Sequence, residues 1–305
     1  MNSEKFSSSM KLLLVCFVSF SITTNEAVPY HGPYPEVGAT ILDFGSCTYK
    51  LQSYIDSGAS TRVFGASKVA CKDNGYPSEV AVKCLYSTNH NLQSKPNHEF
   101  RILRELSKHS ELNIPRAYYL SEQWSCGGSH RCQFIAMTKA GPDFDRIITR
   151  NTLGLAKSAK ASKVGQFELF VASVGLSVVS ELQKLHRAGA IHGDIGRYNV
   201  ANSLEDPRQV FLIDFGQGKL KRDISESQFK HGTDRDYRRT QAFILRLIKT
   251  KMSIDYNASS EKSFRENKLY ALVVNLSSPV SELEDTLTNF LKAEFGRSFS
   301  GKILY

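Results

Sequence analysis

Two short segments in the second half of the chain, 192–199 and 213–216, contain residue types suited to phosphoryl transfer. Catalysis of that reaction consists mostly of positioning and charge neutralisation, because the transferred group needs little covalent help. Asp194 can orient an acceptor hydroxyl, and Asn199 follows it at a spacing suited to binding a metal ion. Asp214 comes directly after an apolar run typical of a β-strand. We therefore predict Asp194 as the catalytic base and Asn199 and Asp214 as magnesium ligands.

Hydrophobic periodicity indicates the elements that must position these residues. Alternating or short apolar runs predict a hairpin over 51–64 that turns at Gly58, and strands over 79–85, 117–120, 133–137 and 269–276. Apolar residues at helical spacing predict helices over 99–106, 167–186, 236–252 and 280–295. Strands therefore dominate the first half of the chain and helices the second.

The segment 192–199, HGDIGRYN, resembles the catalytic loop HRDxxxxN of protein kinases, and 214–216 resembles their DFG motif. In this order the two motifs are similar to those of the protein kinase-like superfamily. The resemblance implies an α+β, two-lobed protein kinase-like fold with a small, mostly β N-lobe over 48–140. It also implies a reduced, mostly α C-lobe core over 141–252 and a C-terminal extension over 253–305.

The same resemblance assigns residues to an ATP site. In protein kinases a lysine on a small-lobe strand binds the α- and β-phosphates, and Lys83 in VAVK matches that lysine. Ala81 lies on the same strand face, since side chains alternate along a strand. Glu99 is the expected ion-pair partner of Lys83, because its helical phase matches the apolar face of its segment. Glu105 is the alternative partner.

The segment 136–144, AMTKAGPDF, is similar to the hinge of the casein kinase I and vaccinia-related kinase group. On this comparison Met137 is the gatekeeper residue. The backbone from Thr138 through Lys139 to Ala140 is expected to face the adenine. The resemblance thus adds Met137, Lys139 and Ala140 to the nucleotide site.

The glycine-rich loop of protein kinases is only partly preserved. When Val63 is aligned with the valine of GxGxxGxV, Asp56, Gly58 and Thr61 occupy the three glycine positions. Glycines there let backbone N–H groups approach phosphate closely. Gly58 and Val63 are predicted to contact the nucleotide. Because Asp56 adds negative charge near a negative ligand, we expect reduced nucleotide affinity.

Further departures from the kinase pattern surround the catalytic aspartate. Gly193 replaces the arginine of HRD, which argues against control by a phosphorylated activation loop. Gly196 stands where a lysine normally helps to neutralise the γ-phosphate, and Arg197 is a candidate substitute with a different phase. Asp236 is either the aspartate of helix F that braces the catalytic loop or a helix N-cap. Little room is left between Gly216 and Asp236 for a full activation segment.

The composition indicates a globular protein and the kinds of partner that it favours. The 305 residues are 41% hydrophobic and 23% charged, which is ordinary for a globular protein. The net charge of +9 favours anionic partners such as ATP or acidic protein segments. The sequence has no dense run of Lys and Arg with interleaved aromatic residues, so we expect no specific nucleic-acid partner.

The first residues have the pattern of a secretory signal peptide. Lys5 and Lys11 precede the apolar stretch 12–22, which is shorter than the about 20 apolar residues that span a bilayer. We predict a signal peptide over 1–24, entry into the secretory pathway, and no transmembrane segment. A buried N-terminal strand or helix of a cytosolic protein is the alternative.

Cysteines and glycosylation patterns are compatible with secretion. Removal of the signal peptide leaves Cys47, Cys71, Cys84, Cys126 and Cys132, whose pairing the sequence does not determine. Cys126 and Cys132 flank a Gly-Gly-Ser turn that a disulfide can close, and two free thiols are the alternative. Asn257 and Asn275 each begin an N-glycosylation pattern.

Taken together, these features predict ATP-dependent phosphoryl transfer to Ser or Thr hydroxyls of protein substrates by a secreted, divergent kinase that uses Mg²⁺ or Mn²⁺. Two alternatives stay open. The lost glycines favour a pseudokinase that serves as a binding module. The His-Gly-Asp sequence at Asp194 and the short segment after Gly216 favour a kinase of small molecules. The sequence leaves the oligomeric state undetermined.

Overall fold

The computed structural model describes residues 35–58, 61–72, 75–87, 94–126, 130–149, 162–204, 209–256, 264–265 and 267–295. The predicted signal peptide over 1–24 and the glycosylation pattern at Asn257 lie outside these residues.

The N-terminal lobe is an antiparallel sheet of seven strands. They are β1 (Ile41–Asp43), β2 (Cys47–Gly58), β3 (Thr61–Cys71), β4 (Glu79–Ser87), β5 (Ala117–Leu120), β6 (Trp124–Ser125) and β7 (Arg131–Met137). The strands pair in the order β1-β2-β3-β4-β7-β5, and β6 pairs with β7. Helix α1 (Ser94–Leu106) packs against β5 and β7. The predicted hairpin at Gly58 is confirmed, since Gly58 pairs with Thr61 across β2 and β3.

Aromatic rings fill the interior of this sheet. Phe44 stacks on Tyr49 and Tyr119, with ring centroids 5.1 and 5.2 Å apart. Trp124 meets Phe134 edge-on at 5.3 Å. Such ring pairs add about 0.5–1.5 kcal/mol each beyond the burial of their area. The sheet therefore has its own hydrophobic cluster, separate from the core of the helical lobe.

Two disulfides lie in the same lobe. One joins Cys47 at the start of β2 to Cys71 at the end of β3, and the other joins Cys126 to Cys132. Of the two alternatives for the Gly-Gly-Ser turn, the structure has the disulfide. Cys84 is a buried free thiol, and burial raises its pKa to about 12.

The second lobe is mostly helical. Its helices are α2 (Phe144–Thr149), α3 (Ser162–Arg187), α4 (Glu226–Tyr256), α5 (Lys268–Val274) and α6 (Pro279–Phe295). Two short two-stranded sheets lie in the same lobe, with β8 (Ala190–Ile191) paired to β11 (Lys219–Leu220), and β9 (Val200–Asn202) paired to β10 (Val210–Leu212). Among the described helices, none combines the length and the apolar character needed to cross a bilayer.

One hydrophobic core extends from α1 and β7 through the helical lobe. It includes Leu103, Ile135, Phe170 and Leu287, which are fully buried. Complete burial of such a side chain contributes about 1.5–3 kcal/mol. Helices α5 and α6 are thus part of the same packed core as α3 and α4.

The four helices predicted from apolar spacing are confirmed, but α1, α3 and α4 begin earlier than predicted, at Ser94, Ser162 and Glu226. Helix α4 begins at Glu226 instead of Asp236, because Ser225 and Gln228 form a capping box: Gln228 N donates to Ser225 Oγ (3.2 Å), and Ser225 N donates to Gln228 Oε1 (2.9 Å). This pair made the earlier start predictable.

The strand predicted over 269–276 is wrong, and this segment forms helix α5. The Asn267 side chain caps the helix by accepting a hydrogen bond from Tyr270 N at 2.9 Å. Leu269, Tyr270 and Val273 are its buried residues. Their spacing places them on one helical face, whereas a strand would have buried alternate residues.

The loop 192–199, which follows β8, requires glycine at position 193. Gly193 has φ +79°, in the left-handed region that favours glycine. A Cβ added there would lie 2.5 Å from the carbonyl oxygen of Gln217, which is a backbone atom. The arginine that protein kinases carry at this position therefore does not fit this backbone.

Gly193→Ala is expected to lower the free energy of unfolding by about 2–3 kcal/mol, since it adds a strained φ and a close backbone contact. Gly196→Ala is the matched control, because the nearest atom to its added Cβ, Asp194 O, is 4.0 Å away. The control should stay within about 0.5 kcal/mol of the wild type. Urea denaturation followed by circular dichroism measures both values, and equal stabilities would contradict this account.

Candidate functional site

A cleft of about 770 Å³ lies between the two lobes. Its lining includes most of the residues assigned from the sequence: Gly58, Val63, Ala81, Lys83, Glu99, Met137, Ala140, Asp194, Asn199 and Asp214. The Lys139 side chain instead pairs with Glu79 at 2.9 Å. The structure therefore brings these side chains together in one cleft, while the assignment of Lys139 concerned its backbone and stays a prediction.

Lys83 is the buried cation of this cleft. It lies on β4 between Val63 of β3 and Ile135 of β7. Its ammonium donates to both Glu99 carboxylate oxygens, at 2.7 and 2.9 Å, and to Asp214 Oδ1 at 2.8 Å. Burial acts to lower the pKa of Lys83, but the two carboxylates outweigh it and hold the pKa above its usual value. Lys83 thus stays charged at neutral pH.

Helix α1 presents Glu99, and not Glu105, to Lys83. Glu99 is 2% exposed. Glu105 pairs instead with Lys108 and Arg222, at 3.0 and 3.2 Å. Of the two partners that the sequence left open, Glu99 is the one that contacts Lys83.

Polar contacts also fix α1 against the segment that follows Asp214. His98 Nε2 donates to the carbonyl oxygen of Gly218 at 2.7 Å. Arg101 pairs with Asp223 at 2.7 Å. These contacts lie on the same helix that carries Glu99 to Lys83.

Asp214 is held in a strained backbone conformation at the start of the 3-10 helix Phe215–Gln217. Its φ is +65°, and its side chain accepts a hydrogen bond from Gly216 N at 3.3 Å. Such a conformation costs on the order of 1–3 kcal/mol and is found most often at functional sites. Burial acts to raise the pKa of the carboxyl, but the adjacent Lys83 ammonium lowers it below its usual value. Asp214 is therefore a carboxylate.

Asp194 and Asn199 are joined directly. Asn199 Nδ2 donates to the Asp194 carbonyl oxygen at 2.8 Å and to its Oδ2 at 3.1 Å. The other carboxylate oxygen, Oδ1, contacts Nη1 of Arg239 on α4. The carboxylate that the sequence assigned as the base is thus oriented from both sides.

Asp236 anchors the loop that carries Asp194. Its carboxylate is fully buried and accepts from His192 N at 2.9 Å and Gly193 N at 2.8 Å. His186 Nε2 contacts it at 3.0 Å. Burial acts to raise the pKa of Asp236, but the hydrogen bonds that its carboxylate accepts lower it below its usual value. Because Asp236 lies inside α4, it braces the loop and is not a helix N-cap.

His192 links the same loop to the end of β10. Its Nε2 donates to the carbonyl oxygen of Ile213 at 3.0 Å, and its Nδ1 accepts from Asp194 N at 3.2 Å. Complete burial lowers the pKa of His192 below its usual value. A neutral imidazole with its proton on Nε2 satisfies both contacts, so His192 has a structural role.

Asn199 and Asp214 offer oxygen ligands that fit a divalent cation. Asn199 makes both hydrogen bonds through Nδ2, which leaves its carboxamide oxygen for a metal. Mg²⁺ is usually bound by one or two carboxylates together with substrate phosphates. Within the described part of the chain, no cluster of three or more His, Cys, Asp or Glu side chains forms a complete protein site. These two residues therefore suit a metal ion shared with the phosphates of a nucleotide.

Arg146 of α2 neutralises the aspartate in the partly preserved glycine loop. It pairs with Asp56 at 2.7 Å and donates to the carbonyl oxygen of Ile55 at 3.2 Å. Asp56 and Arg146 both line the cleft. The negative charge expected to oppose a nucleotide is thus balanced by a cation from the other lobe.

Sequence reasoning missed Arg146 and Arg239. The contact of Arg146 with Asp56 had no local signal, because Asp56 is far away in the sequence. Arg239 could have been identified from the sequence, because it follows Asp236 by about one helical turn and lies on the same helix face.

Asp56→Asn should tighten nucleotide binding several-fold, and Arg146→Gln should weaken it by a similar factor. The first change raises the net positive charge beside the phosphates, and the second removes the guanidinium that Asp56 shares with Asp143. Isothermal titration with an ATP analogue and Mg²⁺ measures both affinities. If both variants weaken binding equally, the pair acts only as a link between the lobes.

No family model matches the chain. Over 84 residues, 28% of its length, the chain is 26% identical to the B1 kinase of vaccinia virus in the Ankara and Western Reserve strains. This match covers 24% of the viral protein, so the chain spans about a quarter of these relatives.

Two solved structures match most of the chain. The BubR1 kinase domain matches with a TM-score of 0.54 and 14% identity, over 87% of this chain and 88% of that domain. Vaccinia related kinase 3 matches with a TM-score of 0.50 and 13% identity, over 85% of this chain and 92% of that one. The α+β, two-lobed architecture expected from the motifs is confirmed. The chain therefore has a divergent protein kinase-like fold.

Proposed function

We propose that the protein transfers the γ-phosphoryl group of ATP to hydroxyl groups, with Ser and Thr side chains of proteins as acceptors. One arrangement carries the proposal: Lys83 is paired with Glu99 and Asp214 in the cleft that also contains the Asp194–Asn199 pair. The motif resemblance to protein kinases supports a protein acceptor, and the partial likeness to the vaccinia B1 kinase supports phosphoryl transfer.

Each proposed role follows from the chemistry of the side chain. The Lys83 ammonium binds α- and β-phosphate oxygens. Asp194 accepts the proton of the acceptor hydroxyl as its oxygen attacks the γ-phosphorus, and ADP leaves. Asn199 and Asp214 hold Mg²⁺ or Mn²⁺, which supplies positive charge that neutralises the phosphates.

The proposed activity does not depend on phosphorylation of an activation loop. The α1 helix already places Glu99 on Lys83, and His98 and Arg101 contact the segment after Asp214. Gly193 stands where an arginine would contact a phosphorylated residue.

A small-molecule acceptor is the second candidate function. One observation favours it: between Gly218 and the start of α4, the described chain forms only β11 and the 3-10 helix Lys221–Asp223. This leaves a short segment where a protein kinase would have a platform for a peptide. An acceptor that needs little surface would fit such a site.

Asp194→Asn is expected to lower phosphate incorporation at least about 10²-fold, because it removes the proton acceptor. The assay supplies radiolabelled ATP with Mg²⁺ or Mn²⁺ to mixed proteins and to a metabolite extract, and counts label in each. Asp234→Asn, a change of the same type on α4, should retain the wild-type rate.

Label in proteins supports the main proposal, and label in metabolites alone supports the second candidate. An Asp194→Asn rate equal to the wild type would overturn the role of Asp194. Metal-dependent nucleotide binding without any labelled product would identify the pseudokinase alternative.

We further propose that the protein enters the secretory pathway. The basic and then apolar pattern before residue 24 supports this proposal. So do the disulfides Cys47–Cys71 and Cys126–Cys132, since such bonds persist in oxidising compartments. Asn275 lies exposed at the end of α5, where a glycan has room.

Expression of the full chain in cultured eukaryotic cells should yield a protein in the medium whose N-terminus lies near residue 25. Enzymatic removal of N-glycans should lower its mass, and Asn275→Gln should remove one glycan. N-terminal sequencing and mass spectrometry measure both. A cytosolic product that retains its first residues would contradict the proposal.

A further inference from the structure

Arg239 brings a positive charge to a position in the cleft that the catalytic loop itself leaves without a lysine. Gly196 stands where the resemblance to protein kinases calls for the lysine that neutralises the γ-phosphate. Arg239 lines the same cleft and contacts Asp194 Oδ1 through Nη1. We propose that Arg239 binds the oxygens of the γ-phosphoryl group during transfer, in place of that lysine. The inference rests on the proposed phosphoryl transfer.

The position of Arg239 is fixed by the helix that carries it. Asp236, on the same face of α4, accepts hydrogen bonds from His192 N and Gly193 N. Arg235 Nη2 donates to the Gly193 carbonyl oxygen at 3.1 Å. Residues at these spacings lie side by side on a helix, so three neighbouring side chains bind one loop. Arg239 is thus held beside Asp194 by the interactions that fix the loop.

The chemistry of the guanidinium fits a phosphate. It has five N–H donors in a planar fork that matches phosphate oxygens in pairs. The contact with Asp194 uses one terminal nitrogen, and the side chains of Arg239 and Asp194 are 39% and 41% exposed. Because partly exposed ion pairs are weak, a phosphoryl group with greater negative charge can compete for the guanidinium.

Withdrawal of Arg239 from Asp194 would leave the carboxylate in place. Asn199 continues to hold Oδ2 and the carbonyl oxygen of Asp194, while Oδ1 becomes able to accept a proton. In the transfer, the acceptor oxygen bonds to the γ-phosphorus as the bond from that phosphorus to the β–γ bridging oxygen breaks. ADP takes the electron pair, and the acceptor proton passes to Asp194. The terminal phosphate thus both recruits Arg239 and releases the base.

Arg197, the substitute considered from the sequence, is engaged elsewhere. Its guanidinium lies over the ring of Tyr198, 4.3 Å from the centroid, and approaches Asp145 at 3.7 Å. It also lines the cleft, which makes it the competing candidate. Arg239 is the arginine that contacts Asp194. The geometry therefore favours Arg239 as the residue that binds the γ-phosphoryl group.

The test removes the guanidinium of Arg239 and then introduces an ammonium group at position 196, where protein kinases carry a lysine. Arg239→Gln should lower the rate of phosphate transfer about 10²-fold, the usual loss for one charge-stabilising donor. Adding Gly196→Lys to this variant should recover at least about tenfold, because a Cβ added at 196 has no atom nearer than Asp194 O at 4.0 Å. Arg239→Lys should retain part of the rate. Arg238→Gln, the neighbouring arginine on α4, should match the wild type.

Nucleotide binding provides a readout that does not require turnover. The wild type should prefer a non-hydrolysable ATP analogue over ADP, both measured with Mg²⁺ by isothermal titration. Arg239→Gln should lose most of this preference, and the double variant with Gly196→Lys should regain it. Thermal unfolding checks that each variant is folded. If the wild type transfers no phosphate, the proposed function fails, and the binding preference still decides the role of Arg239.

Two results would overturn the inference. An Arg239→Gln variant that is as active as the wild type, or more active, and keeps its preference for the ATP analogue would show that Arg239 only blocks Asp194. Loss of the preference in Arg197→Gln but not in Arg239→Gln would assign the phosphate contact to Arg197.

Discussion

The ammonium group of Lys83 bonds to carboxylates from both lobes, and the geometry of the cleft depends on it. Glu99 reaches it from α1, and Asp214 reaches it from the turn after β10. Lys83 and Glu99 are buried, so each needs the opposite charge of the other, whereas the Asp214 side chain is 45% exposed. Loss of one partner of such a buried pair typically costs about 3–5 kcal/mol, because it leaves a buried charge uncompensated. The placement of α1, β4 and the 3-10 helix is therefore mutually dependent.

A second buried carboxylate, Asp236, plays the corresponding part for the 192–199 loop. By accepting two successive backbone N–H groups, it holds the loop at Gly193 in a conformation that only glycine adopts easily. The absence of the usual arginine at this position thus has a steric reason. The same helix carries Arg239 to Asp194, and α2 carries Arg146 to Asp56. At Asp56, where the chain departs from the kinase pattern in charge, a cation from a distant segment balances the added carboxylate.

Much of the fold was predictable, because its long elements have clear periodicity. Apolar spacing alone predicted the hairpin at Gly58 and the strand that contains Lys83. It also predicted the helices that contain Phe170 and Leu287. The segment 269–276 was predicted wrongly because a short apolar run is compatible with both strand and helix. There the Asn267 cap and packing onto the helical core favoured the helix. Of the site, the acidic residues and Lys83 were recognised from motifs, and their catalytic roles stay predictions.

The chemical groups at the site and the order of the elements that carry them follow from residue types and short-range spacing, so both could be predicted from the sequence. The partners of those groups depend on the tertiary structure. It selected Glu99 over Glu105, made Asp236 a brace for the loop, and brought Arg146 and Arg239 to aspartates far away in the chain. These outcomes depend on how separate helices and strands pack across the cleft. The spacing of residues within a short segment does not indicate how distant segments pack.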